Sequence, residues 1–311
     1  MTTEIQPLSP APATPRPGGA AAGPPKASPR RPKSPAAKRL RAAGKHLLLI
    51  VSALAMIYPL LWMIASSLRP NELIFREPGL LLSTFEVGNY SEGWNALANP
   101  FSTYLLNSAM VVFGCILGNL VSCSMAAYAF ARLNFKGKKW LFGAMLLTIM
   151  LPFHVVIVPQ YILFSQIGWV NTFWPIILPK LLATDAFFVF LMVQFIRGIP
   201  KDLDEAARID GAGHPRIFLQ VILPLMVPAL ATTTIFTFIW TWNDFFSQLI
   251  YLTDPKMFTV PVALRAFVDA TATTSWGSLF AMSIVSLLPV FIAFLLGQKF
   301  LVKGIATTGI K

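Results

Sequence analysis

Charge is what this chain has least of. Only 12% of its 311 residues are Asp, Glu, Lys or Arg, against about 25% in soluble domains. Acids are the scarcer sign, 13 against 25 Lys and Arg, which leaves a formal net charge of +12. With 55% hydrophobic residues, a soluble core would leave large apolar patches in water, whereas a bilayer acts as their solvent. Cysteine is nearly absent. Cys115 and Cys123 lie eight apart in an apolar stretch, show no disulfide framework or metal spacing, and read as small helix-packing residues. Catalytic patterns are missing too: no GxxxxGK(S/T) phosphate loop, no HExxH and no GxSxG. His46, His154 and His214 are far apart in sequence, and His154, after Leu151-Pro152, reads first as an interior histidine and second as one facing the pore. No enzyme, metal site or directly bound cofactor is expected.

What is present is apolar and segmented. Residues 1–45 hold ten of the 25 prolines and nine Lys or Arg. They read as a disordered basic tail, either merely solvated or serving as a binding arm. No apolar run with a small-residue cleavage site precedes Leu47, and the run after it is too long for a signal core, so it reads as a first span. A helix needs about 20 residues to cross the hydrocarbon. Six segments qualify, at about 47–68, 104–132, 140–160, 173–197, 221–242 and 278–302. Pro175, Pro179, Lys180 and Asp185 interrupt the fourth, which fits either a half-buried re-entrant segment or a span lined by protein or water.

Charge placement favours the span. With six spans and the N-terminus inside, the basic clusters Arg132 to Lys139 and Arg197 to Arg216, the tail and the C-terminal end all fall on the cytoplasmic side. Only Arg69, Arg76, Lys180, Lys256 and Arg265 are left outside. This positive-inside bias supports six spans with both termini cytoplasmic. It also explains the basic balance through membrane topology and anionic lipid, with no need for nucleic acid.

Residues 199–220, between the fourth and fifth spans, carry the most pointed signal. Pro200 stops one helix, Asp202 is placed to cap the next, and Glu205 stands three residues on in capping-box position. Leu203, Ala206, Ala207 and Asp210 fall at helical spacing and make a small, nearly flat face. Gly211 and Gly213 end that turn, and His214-Pro215 opens a second helix. Physically this is a compact docking element or an ordinary cytoplasmic loop, and the residues alone leave both open.

The spacing also matches a known pattern. Glu205-Ala206-Ala207, Gly211, Val221 and Leu223-Pro224 resemble the EAA loop of ATP-binding cassette (ABC) importer permeases, EAA-x3-G-x9-I-x-LP, with Val221 as the one departure. Asp210-Gly211-Ala212 resembles the carbohydrate-uptake branch typified by the second maltose permease subunit. So do Thr241-Trp242-Asn243-Asp244-Phe245, Leu301 to Gly304 and Thr308 to Lys311. The resemblance covers about Leu47 to Lys311 and implies an all-α integral membrane protein with the type I importer permease fold. It also implies a second permease subunit, two cytoplasmic ATPase subunits that hold ATP–Mg, and an extracytoplasmic solute-binding protein. The implied cargo is a di- or oligosaccharide of maltose or trehalose type, in the inner membrane of a prokaryote.

On that resemblance Glu205 makes a charged contact to the ATPase, Ala206 and Ala207 form the close-packed face, and Gly211 with Gly213 is the pivot. A stiff lever then follows from the Asp202 cap and a direct run into the fifth span. Polar residues at membrane depth should turn from lipid. Asn107, Asn119 and Gln160 read mainly as interhelical hydrogen bonders. Gln194, Trp240, Trp242, Asn243 and Asp244 are candidates for an outer gate or substrate path, with the tryptophans as stacking faces. Other cargoes remain, such as glycerol phosphate, an amino acid or a peptide. An ion-coupled secondary transporter would need paired charges deep in the spans and an internal repeat, and neither is apparent. A membrane enzyme lacks a catalytic constellation, and a scaffold leaves the 199–220 element unexplained.

Overall fold

A computed structural model describes residues 35–268 and 275–307, with side chains over 43–268 and 275–299. Residues 1–34 of the expected tail lie outside the described residues. Every regular element among the described residues is helical. The chain divides into two units, 1–55 and 56–311. Helix α1, Pro35–Ser67, begins within the stretch assigned to the tail. Its Ala-, Lys- and Arg-rich start, after Pro35 at a first-turn position, has good helix propensity. Residues 43–55 of α1 are exposed throughout, as an apolar helix can be in hydrocarbon.

The second unit follows α1 with α2, Gly88–Asn95, and α3, Phe101–Arg132, a 32-residue helix without an internal proline. Then come α4, Lys138–Thr148, α5, Phe153–Gln166, α6, Trp174–Leu181, and α7, Ala186–Arg197. The next elements are α8, Asp202–Ile209, α9, His214–Ile217, a π-helical turn Phe218–Ile222, and α10, Leu223–Leu225. Helices α11, Val227–Trp242, α12, Phe246–Tyr251, α13, Val260–Ala266, and α14, Trp276–Thr307, complete the order. Among the described residues, four helical stretches are long and apolar enough to cross a membrane: 43–67, 101–132, 174–197 and 276–299. Two bent pairs bring the number to six if each pair is one span.

Those bends correct two of the expected spans. The third, read as one helix over 140–160, is broken at Leu151-Pro152, with α4 and α5 at 100°. The fifth, read as continuous over 221–242, turns by 74° between Leu225 and Val227. Pro152 precedes α5, Pro224 sits in α10 and Pro228 opens α11. Each removes an amide donor and disfavours helix in the residue before it.

Helix α3 is the spine of this unit, packed by α6, α7 and α11. Two glycines one turn apart let α6 approach closely. A Cβ on Gly114 would meet Ile177 at 2.8 Å, and one on Gly118 would sit 3.0 Å from the backbone of Lys180 and Leu181. This is the small-xxx-small device by which membrane helices pack, and the sequence reading missed it although the spacing is plain. Cys115 and Cys123 are free and fully buried on the same helix, as small packing residues. A buried cluster of Cys123, Tyr128, Phe188, Met192, Ile196, Ile217, Ile222 and Met226 joins α3 and α7 to the helices after α8. A second, around Phe101, Tyr104, Trp242 and Met282, lies toward the other end of α3.

Candidate functional site

The segment singled out by its spacing folds into an elbow. Lys201 is already in helical conformation, and its carbonyl accepts from the Asp204 and Glu205 amides at 2.9 and 3.1 Å. The helix therefore starts one residue earlier than expected: Asp202 is its first residue and makes no side-chain cap, which corrects the capping-box assignment. Asp202, Asp204 and Glu205 still place three acids in the first turn, where they complement the helix dipole.

Gly211 closes α8 as expected. Its φ is +78°, a conformation that costs other residues about 1–2 kcal/mol. The Ala212 amide donates to the Ala207 carbonyl at 2.9 Å and the Gly211 amide to Arg208 at 3.0 Å, the paired bonds of a Schellman ending. Gly213 differs from the expectation. Its φ of −76° and ψ of 170° are open to any residue, so the backbone requires glycine only at Gly211. Pro215 stands in the first turn of α9. Val221 lies in the π-helical turn and Leu223-Pro224 in α10. The bend at Met226 means that α9 does not run straight into α11, contrary to the stiff lever expected.

The elbow has two sides. Leu203, Glu205, Ala206, Ile209 and Asp210 are exposed, and Ile209 is 87% so, unusual for an isoleucine. Ala207 is half-buried and packs against the cluster around Tyr128 and Met192, so it belongs to the inner side rather than the exposed face. Asp204, unremarked in the sequence, also points inward. Its Oδ2 lies 2.7 Å from Nε of Arg132, the last residue of α3, with side-chain exposures of only 8% and 3%. Nη2 of Arg132 donates to the Ile199 carbonyl at 2.7 Å. One turn earlier on α3, the Tyr128 hydroxyl is 3.3 Å from Nδ1 of His214, and its ring is 5.2 Å from that of Phe218.

The other candidates separate into buried and exposed sets. Asn119 Nδ2 donates to Asp185 Oδ2 at 2.7 Å and to Thr237 Oγ1 at 3.0 Å, and Lys180 Nζ donates to both oxygens of Asp185 at 2.9 Å. Asn107 Nδ2 donates to the carbonyls of Lys256 and Phe258. Both asparagines are thus interhelical or helix-to-loop ties, as expected, and Gln160 is half-buried. Trp242 is a correction: it is buried, stacked on Phe238, and donates through Nε1 to the Ser286 carbonyl at 3.2 Å. It presents no stacking face. Trp240 does, half-exposed among Phe187, Phe188 and Phe236. Gln194 and Asn243 are exposed. Asn243 turns its amide back to the Ile239 carbonyl at 2.8 Å, and Asp244 Oδ1 accepts from the Ser247 amide. His154 is exposed beside Phe246, which removes the interior reading and leaves the other untouched.

Residues 110–306, which include the elbow and every polar candidate except Asn107, match the family model for the binding-protein-dependent transport system inner membrane component. The chain belongs to that family. This permease is 33% identical over 272 residues to the trehalose/maltose transport system permease protein of Thermococcus litoralis, covering 86% of this chain and 97% of that one. It is 30% identical over 266 residues to the sn-glycerol-3-phosphate transport system permease protein of Yersinia pestis bv. Antiqua, covering 84% and 94%. Its fold matches a subunit of a bacterial ABC transporter involved in import of the polysaccharide alginate, with TM-score 0.76 at 22% identity over 86% of this chain and 99% of that one. The permease is therefore a multi-pass inner-membrane component of a binding-protein-dependent transport system, and not itself an enzyme.

Proposed function

We propose that this chain spans the membrane six times with both ends in the cytoplasm. It pairs with a second permease subunit and two ATPase subunits and receives a di- or oligosaccharide from an extracytoplasmic binding protein. The observation that carries the reading is the elbow. A short helix, closed at Gly211 by paired hydrogen bonds, exposes Glu205, Ala206, Leu203 and Ile209 together. Two large apolar side chains in water, beside a small residue and an acid, suit a protein partner's cleft. Glu205 meets a basic residue there, and Ala206 lets the partner come close. Gly211 keeps the turn. ATP–Mg stays on the ATPase subunits, whose closure moves the elbow and rocks the spans.

Gln194, Trp240, Asn243 and Asp244 form the proposed substrate path, with the Trp240 ring as a stacking face for sugar. Glu205→Lys or Gly211→Asp leaves the protein inserted and abolishes uptake while the ATPase still hydrolyses ATP. Normal uptake by both variants overturns the assignment. Uptake by the reconstituted complex of labelled maltose, trehalose and sn-glycerol 3-phosphate, supplied with the cognate binding protein, identifies the cargo. Accumulation of the phosphate ester alone replaces the sugar reading.

A further inference from the structure

Besides the short link back to α7, a helix of only 12 residues, two routes lead from the elbow into the spans. One runs through α9 into α11, but it contains the π-helical turn Phe218–Ile222 and then a 74° bend. The other runs through α3, which is unbroken over 32 residues, a length of about 48 Å. The end of α3 is seated on the elbow at several points. Arg132 reaches the first turn of α8 through Asp204 and the connection before α8 through the Ile199 carbonyl. Tyr128 reaches α9 at His214 and, by ring contact, Phe218.

The chemistry of the Arg132–Asp204 pair marks it as more than a surface tether. Both side chains are almost wholly buried, and the second carboxylate oxygen, Asp204 Oδ1, is buried without a hydrogen-bond partner. Asp204 thus depends on one guanidinium, and a charge left alone there would be uncompensated. The planar guanidinium touches two segments at once, Nη2 donating to the Ile199 carbonyl while Nε lies in ion-pair contact with Asp204, a fixed spacing that a single-point ammonium cannot reproduce. Asp204 also adjoins Glu205, and successive helical residues point about 100° apart. One faces α3 while the other faces out.

We infer that Arg132 is a positioning residue that locks the elbow to α3, so that movement imposed at Glu205 is carried into the spans by α3 as one rigid body. This rests on the proposed seating of the elbow in an ATPase, and it adds the route by which the motion travels. Nothing in the EAA spacing assigns Arg132 or Asp204.

The test uses the full complex with its partner permease and ATPase subunits. Cys115 and Cys123 are replaced by Ala, and spin labels are placed at Lys201→Cys at the start of the elbow and Met110→Cys on α3, both exposed positions. In the otherwise native complex, the distance distribution between labels is narrow and does not shift between the nucleotide-free state and ATP with vanadate. In Arg132→Ala and Asp204→Asn it broadens and shifts when nucleotide is added. Arg132→Lys keeps the carboxylate neutralised, so it assembles even if Arg132→Ala does not, and it shows the same ATP-dependent shift because the fork is lost. Exchanging the two, Arg132→Asp with Asp204→Arg, restores the narrow distribution. A merely structural role would lower thermal stability and leave the nucleotide dependence alone. Unchanged distances in Arg132→Lys overturn the inference. A crosslink from Ile209→Cys to the ATPase separates the two ideas: if it never forms, the seating fails, and if it forms while the distances are unchanged, only the α3 route fails.

Discussion

Two ion pairs among the described residues are of similar length and differ in burial and in the elements they join. Lys180 and Asp185 lie five residues apart in the chain, with side chains 29% and 23% exposed, and Asp185 has a further donor in Asn119. Arg132 and Asp204 come from different helices, with side chains 3% and 8% exposed, and Asp204 has no hydrogen-bond donor in reserve. The first pair tidies a break between α6 and α7. The second joins elements that the chain would otherwise leave free to part. What an ion pair does depends on what remains for each partner when the other is removed.

The comparison can be broken by substitution. Arg132→Ala strands a buried carboxylate and should cost about 3–5 kcal/mol, read as a large fall in the melting temperature of the purified complex. Gly118→Val should come next. Its Cβ would press at 3.0 Å on the backbone of Lys180 and Leu181, which cannot rotate away, and overpacking of this kind costs about 1–3 kcal/mol. Loss of assembled complex in detergent is the readout. Gly211→Ala meets open space but a φ of +78°, so the penalty is backbone strain of about 1–2 kcal/mol. Faster hydrogen exchange at the Gly211 and Ala212 amides, with little change in global melting, would show it. Lys180→Met should be mildest, about 0–1 kcal/mol for a partly solvated pair, since Asn119 still donates to Asp185. Equal losses for Lys180→Met and Arg132→Ala would show that burial does not separate the two pairs.

How far each feature was legible follows from its range along the chain. The exposed Glu205 and Ala206 and the left-handed Gly211 sit within one short segment, where spacing alone carries the information. Prolines were visible but ambiguous. Pro59, Pro159 and Pro289 lie inside continuous helices, while Pro152 and Pro224 lie at or beside breaks. A freed carbonyl can be tolerated or can open a bend according to what packs beside it. Trp240 and Trp242 are two residues apart, hence on roughly opposite sides of α11. Hydropathy carries no information on which side meets the neighbouring helix, so the two tryptophans are equivalent in sequence.

Composition and local pattern alone determined that the chain lives in a bilayer, that its regular structure is helical, and that its most distinctive segment is a helix closed by glycine. These depend on transfer of apolar surface and on backbone preference, which act residue by residue. The tertiary structure alone decided which spans bend, which tryptophan is buried, and that Arg132 meets Asp204. Those outcomes depend on which side chains of distant helices come within a few ångströms, and no linear pattern encodes that distance.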